Sequence, residues 1–163
     1  MRDSTRLAGI QQNPLWDFAL EFYARPGVSQ RLLRLQDDAG MDVCVLLWRL
    51  WLNHYGLAPT ASAERALAKI VAWQRDYTWP LRDRRRWLKP NAANDPALFQ
   101  LRDTLKAAEL MAEKVALGRL EALARQAGYV QEALPEEAHP PAGTLEQARD
   151  LAALWAQSKG ALR

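Results

Sequence analysis

The sequence predicts an all-α fold, a single compact bundle of about six to seven helices, with one long helix over about residues 96–127 and a C-terminal helix behind an acidic, proline-rich linker. Apolar residues recur at three- and four-residue spacing along the chain, and no turn-bounded run alternates polar with apolar as a half-buried strand would. The 163 residues are 49% hydrophobic and 25% charged, enough for one core and too few for two. The expected division is a helical domain over 1–129, a linker over 130–143 and a helix over 144–163 that docks on the same domain.

Asn13 is placed to cap a first helix, with Pro14 in the first turn and Leu15, Phe18 and Phe22 on one side. Arg25-Pro26-Gly27 ends it. The second helix turns Val28, Leu32, Leu35 and Ala39 inward and Arg31, Arg34 and Asp38 outward, and it stops at Gly40. Asp42 caps the third, where Val43, Leu46, Leu47, Leu50 and Trp51 are joined on the other flank by Val45, Trp48 and Leu52. A helix apolar nearly all round belongs at the centre of the bundle, so Trp48 and Trp51 are expected in the core.

A fourth helix starts near Ser62 with Leu67, Ile70, Trp73 and Tyr77 facing in, and Pro80 restarts the chain as a short helix to Lys89. Asn94 or Asp95 caps the long helix, whose length from Pro96 to Gly128 would be about 48 Å at 1.5 Å per residue. That exceeds the diameter of about 40 Å expected of so small a domain, so the helix must protrude, bend near Gly118 or meet a partner. Residues 130–143 hold Pro135, Pro140, Pro141 and Gly143 with Glu132, Glu136 and Glu137, a mobile linker by composition. Thr144 and Gln147 form a capping box for the last helix, on which Leu145, Ala148, Ala152 and Trp155 share a face.

Composition limits the functional classes. The net charge of +3 and sequence pI near 9.2 permit, without requiring, an anionic partner. The single cysteine, Cys44, excludes an intrachain disulfide and suits a reducing, cytoplasmic compartment. Its apolar run is too short for a membrane span and Arg49 interrupts it, while residues 1–7 lack the apolar stretch of a signal peptide.

Catalytic and metal-binding constellations are not evident. Cys44 and His54 lie about 15 Å apart along one helix, too far to act as nucleophile and base. Neither histidine has metal-ligand spacing, so no metal and no cofactor is expected. Asp37, Asp38 and Asp42 crowd one turn, but capping and solvated last-turn positions account for them, and no calcium loop is present.

The segment from Asn13 to Val28, Leu35-Gln-Asp-Asp-Ala-Gly-Met-Asp-Val43 and the Leu-Leu-Trp-Arg-Leu-Trp run resemble a family of small, all-helical proteobacterial proteins defined as a domain of unknown function. Pro80-Leu-Arg-Asp-Arg-Arg-Arg-Trp-Leu-Lys89 fits the same resemblance, which covers roughly residues 10–125 and leaves the linker and last helix outside. It implies a bacterial, cytoplasmic helical protein and carries over no catalytic residue.

The sharpest local signal is basic. Between Arg65 and Lys89 there are eight cations and two anions, a local charge of +6 in a chain whose total is +3. Arg82, Arg85, Arg86 and Lys89 recur at helical spacing and form one stripe, expected to be exposed, with Arg75 nearby and Trp73, Trp79 and Trp87 available for stacking. Such a stripe suits a non-enzymatic binding or adaptor module that contacts an acidic protein or nucleic acid. A solvated face without a partner fits the same pattern. So do a structural homo-oligomer formed through the long helix and an enzyme with a dispersed Asp/Arg site.

Overall fold

The structure, a computed structural model, describes residues 2–134 and 139–159, with side chains from residue 6 onward. Its helices in chain order are α1 (Arg2–Gln12), α2 (Leu15–Tyr23), α3 (Val28–Ala39), α4 (Val43–His54), α5 (Ala63–Trp73), α6 (Trp79–Ala92), α7 (Pro96–Ala124) and α8 (Leu145–Ser158). A π-helical stretch, Gln74–Thr78, joins α5 to α6 without a break. The expected all-α bundle is therefore what forms, with the long helix and the C-terminal helix in their expected places.

Helix α4 is the axis of the core, as its nearly all-apolar circumference requires. Asp42 caps it by accepting from the Val45 N–H at 2.9 Å, and Trp48 and Trp51 are both 0% exposed. The Trp51 indole N–H donates to the Asn13 carbonyl at 3.0 Å. Phe18 and Phe22 of α2, Leu32 and Leu35 of α3, Leu120 of α7, and Leu151 and Leu154 of α8 close around this axis. Gly40 ends α3 in the left-handed region, φ 64°, where its lack of a Cβ removes the steric penalty.

Several local expectations are corrected. Asn13 does not cap α2; its amide donates to the Tyr55 hydroxyl at 2.9 Å, and the free N–H of Leu15 is met by the Glu121 carboxylate at 3.0 Å. A helix the sequence reading did not draw, α1, lies against Tyr55 so closely that a Cβ on Gly9 would come within 2.6 Å of that ring. Tyr77 does not face in. The wider π turn breaks the four-residue spacing that would align it with Trp73, and it lies over the Trp73 ring with its outer face exposed. On α8 the buried positions are Asp150, Leu151, Leu154 and Ser158, with Trp155 partly buried, whereas Leu145 and Ala152 are exposed. Asp150 fixes that rotation by drawing Arg34 onto itself at 2.7 and 3.0 Å. The Thr144 capping box is present as expected.

The beginning of the acidic segment is held in place rather than loose. Val130–Glu132 (β2) pairs antiparallel with Leu57–Pro59 (β1), with Leu57 opposite Glu132, and Arg6 reaches Glu132 at 2.8 Å. Pro135, Glu136 and Glu137, the middle of the expected linker, lie outside the described residues.

The second half of the fold is a helical hairpin. Helix α6 packs on α7 and the π stretch, and no buried member of the main core lies between Ile70 and Ala116. The hairpin seam follows a three-four repeat, Thr78, Arg82, Arg85, Leu88 and Ala92 on one side and Leu98, Arg102, Leu105, Glu109 and Ala112 on the other. Helix α6 runs through Pro90 to Ala92 instead of stopping at Lys89. Helix α7 has 29 residues, about 43 Å, and resolves its excess length by carrying this arm. Gly118 lies inside it with open space where a Cβ would stand. A mid-helix glycine costs about 1 kcal/mol relative to alanine.

Candidate functional site

The arginine stripe starts on α6, and α7 decides its fate. Arg82, expected in solvent, is 9% exposed. Its Nε lies 3.3 Å from Glu109 and its terminal nitrogen 3.4 Å from Glu113. Arg85 grips both carboxylate oxygens of Glu109, one of them at 3.2 Å, and that bond raises the guanidinium pKa further above its usual range. The expectation of an exposed stripe therefore fails for its first half. Two arginines across the seam from two glutamates are neutralised there, and burial makes that pairing necessary, because an unpaired ion in this position would be strongly destabilising.

The second half stays accessible. Arg86 is exposed and, among the described residues, pairs with Asp37 of α3 at 3.0 Å, and Lys89 is exposed at the next position of the stripe. Arg75 lies apart on the π stretch, 3.5 Å from its neighbour Asp76. Of the tryptophans expected to stack, Trp73 is committed inward, donating to the Ala112 carbonyl at 3.1 Å beneath the Arg119 guanidinium. Trp87 is 68% exposed.

Between α2, α3 and α4 on one side and the arm on the other lies a cleft of about 390 Å³, within the size range of ligand-binding pockets. Leu20 and Tyr23 of α2, Leu33 of α3, Leu47 of α4 and Leu110 of α7 make its walls apolar. Four of these (Leu20, Tyr23, Leu33 and Leu110) are exposed large hydrophobics, so the cleft opens onto an apolar rim. Its polar wall is the Arg82–Glu109–Arg85 layer with Glu113, and Arg86 completes the lining.

Electrostatics mark the same wall. Burial, then the neighbouring Glu109 charge, pushes the Glu113 carboxyl above its usual range against the opposing pull of Arg82. Tyr23 is raised as well, by burial first and by Glu113 second. Behind the cleft, burial raises Asp42 despite its backbone and Gln74 hydrogen bonds, and at the cleft floor burial drives the Cys44 thiol well up, so this cysteine is a neutral core residue.

The other polar candidates do not converge. Asp37 faces Arg86, Asp42 is buried as a cap, and Asp38 borders a different depression with Arg34 and Asp150. Among the described residues no group of three or more His, Cys, Asp or Glu is arranged to hold a metal ion, and no helix is long and apolar enough to cross a membrane.

Sequence reading missed Glu109 and Glu113, the residues that define the site. Their signal was present in α7, where Leu98, Leu105, Ala112 and Ala116 set an inward repeat and Glu109 occupies one of its positions. No match was found among curated proteins or among solved structures. The profile of the family described as "Protein of unknown function (DUF2390)" matches residues 14–120, which span α2 to most of α7 and so every wall of the cleft. The chain belongs to that family.

Proposed function

We propose that the protein is a non-enzymatic binding or adaptor module that takes an acidic segment of a partner protein. The segment's apolar side chains enter the cleft and its carboxylates meet Arg86 at the cleft and Lys89 one turn further along α6. The observation that carries this reading is the continuity of an open apolar cleft with Arg86, the stripe cation of its lining whose carboxylate partner, Asp37, is itself exposed. Nucleic acid is the weaker partner, because Arg82 and Arg85 are already held by Glu109 and cannot follow a phosphate backbone. An enzyme built on Asp37, Asp38 and Asp42 would need carboxylates that meet, and these do not. A cytoplasmic location belongs to the same proposal and rests on the buried free thiol of Cys44.

The test is selection of a displayed random-peptide library against the full chain, with binding of the selected peptides measured on wild type and on Arg86→Glu/Lys89→Glu. Peptides combining Asp or Glu with large apolar residues are expected, with at least a tenfold loss of affinity on the reversal and no competition from unrelated DNA. Arg82 is left intact, since reversing it would break the seam. Selected peptides without acidic residues, or equal binding to both proteins, would overturn the proposal.

A further inference from the structure

Helix α7 carries an uncharged outward row, flanked by the exposed charges of Asp103, Lys106, Lys114 and Arg119. Arg102, Glu109 and Glu113 face the protein side, whereas the outward heptad positions from Ala97 to Ala122 carry no charge. Leu101, Met111 and Val115 on that face are 48%, 69% and 40% exposed. Thr104, also on it, spends its hydroxyl on the Gln100 carbonyl at 3.0 Å and so presents its methyl. Solvent faces of helices are normally their most polar. A seven-residue repeat over about 37 Å of helix fits a second helix with the same repeat, which the chain itself supplies.

The order of side chains along the face selects how two copies would meet. In an antiparallel pair about a twofold axis between Ala108 and Met111, Leu101 falls opposite Gly118 of the second copy, Val115 opposite Thr104 and Met111 opposite Ala108. Each large side chain meets a small one. A parallel pair would stack Met111 on Met111 and Gly118 on Gly118, leaving voids. The fold gives no reason for Gly118, since a Cβ there meets nothing within 4 Å; Leu101 of a second copy supplies one.

We propose that the outward face of α7 is a homodimer interface, an antiparallel helix pair with Leu101 seated over Gly118 of the other copy. A strip about 37 Å long and about 10 Å wide buries roughly 400 Å² from each copy, which places the dimer in the weak, reversible class. The surface is distinct from the cleft, so the dimer stands or falls independently of the acidic ligand.

Sedimentation equilibrium on the full chain should show a monomer–dimer equilibrium in the micromolar range. Met111→Glu and Gly118→Leu should each weaken it at least tenfold, and Gly118→Leu should do so with the thermal midpoint of the monomer unchanged or raised, because a glycine leaves the helix. A thiol cross-linker should join Leu101→Cys to Gly118→Cys in a mixture and fail to join Leu101→Cys to itself; the native Cys44 is buried and silent. A wild type that stays monomeric at millimolar concentration, a dimer indifferent to Gly118→Leu, or self-cross-linking of Leu101→Cys would overturn the proposal.

Discussion

In the bundle, Trp48 and Trp51 lie without exposed surface among leucines from five helices. In the arm, the middle of the seam holds Arg82 and Arg85 against Glu109 and Glu113 instead. The two regions thus solve different problems. Many helices converge on α4, and hydrophobic burial alone can hold them, because any large apolar side chain of suitable volume contributes. Only two helices form the arm, and small residues such as Ala92 and Ala112 fill much of its seam, so burial is modest and several alignments of α6 on α7 would be nearly equivalent. The ion-pair layer distinguishes them, since a slip of one turn would leave buried arginines without acceptors. It also gives the cleft a charged wall that an apolar seam could not.

Three measurements can break or sharpen that contrast. Trp51→Ala should cost about 3 to 5 kcal/mol in urea unfolding, because it opens a large cavity at the centre of the core and leaves the Asn13 carbonyl without its donor. A loss near the surface-residue level of about 0.5 kcal/mol would mean that α4 is not the axis of the fold.

Glu109→Gln should cost about 3 kcal/mol, since it removes the carboxylate that Arg85 grips and leaves the buried Arg82 with the longer contact to Glu113. Hydrogen exchange should show the loss first in α6 and the N-terminal half of α7, with α4 protected. Replacing Arg82 and Arg85 by Met together with Glu109→Leu should recover much of the stability, as an apolar layer replaces an ionic one, while allowing alternative alignments of the arm. If Glu109→Gln loosens α4 and α6 equally, the two regions are one cooperative unit.

The smallest effect concerns pH. Folding raises the Glu113 pKa, so the native state binds more protons than the unfolded chain between the usual glutamate range and the raised value. Stability must then fall as pH rises through that window and level off above it. Asp42, raised by its own burial, adds to the fall with the same sign. Glu113→Gln should flatten the Glu113 part of this slope. An unchanged pH profile of stability in Glu113→Gln would show that this carboxyl is as well solvated folded as unfolded.

The sequence by itself determined whatever depends on residues a few positions apart. The apolar circumference of α4, the Asp42 cap, the Gly40 stop and the Thr144–Gln147 capping box are legible because a helix is built from contacts between neighbours three and four residues away. Tertiary structure decided the rest. Nothing local to Arg82 and Arg85 foretells that Glu109, 27 and 24 residues onward, will meet them. That meeting depends on the rotation of α7 about its own axis, which the whole seam sets. The same holds for α8, whose buried face was misread because Asp150 is drawn to Arg34 across 116 residues of chain, and for β1 and β2, each too short to show a period. Helical period and capping are local free energies. Which face of a helix is buried, and whether a row of arginines meets water or carboxylates, is settled only when the helices pack and each ion must find its partner.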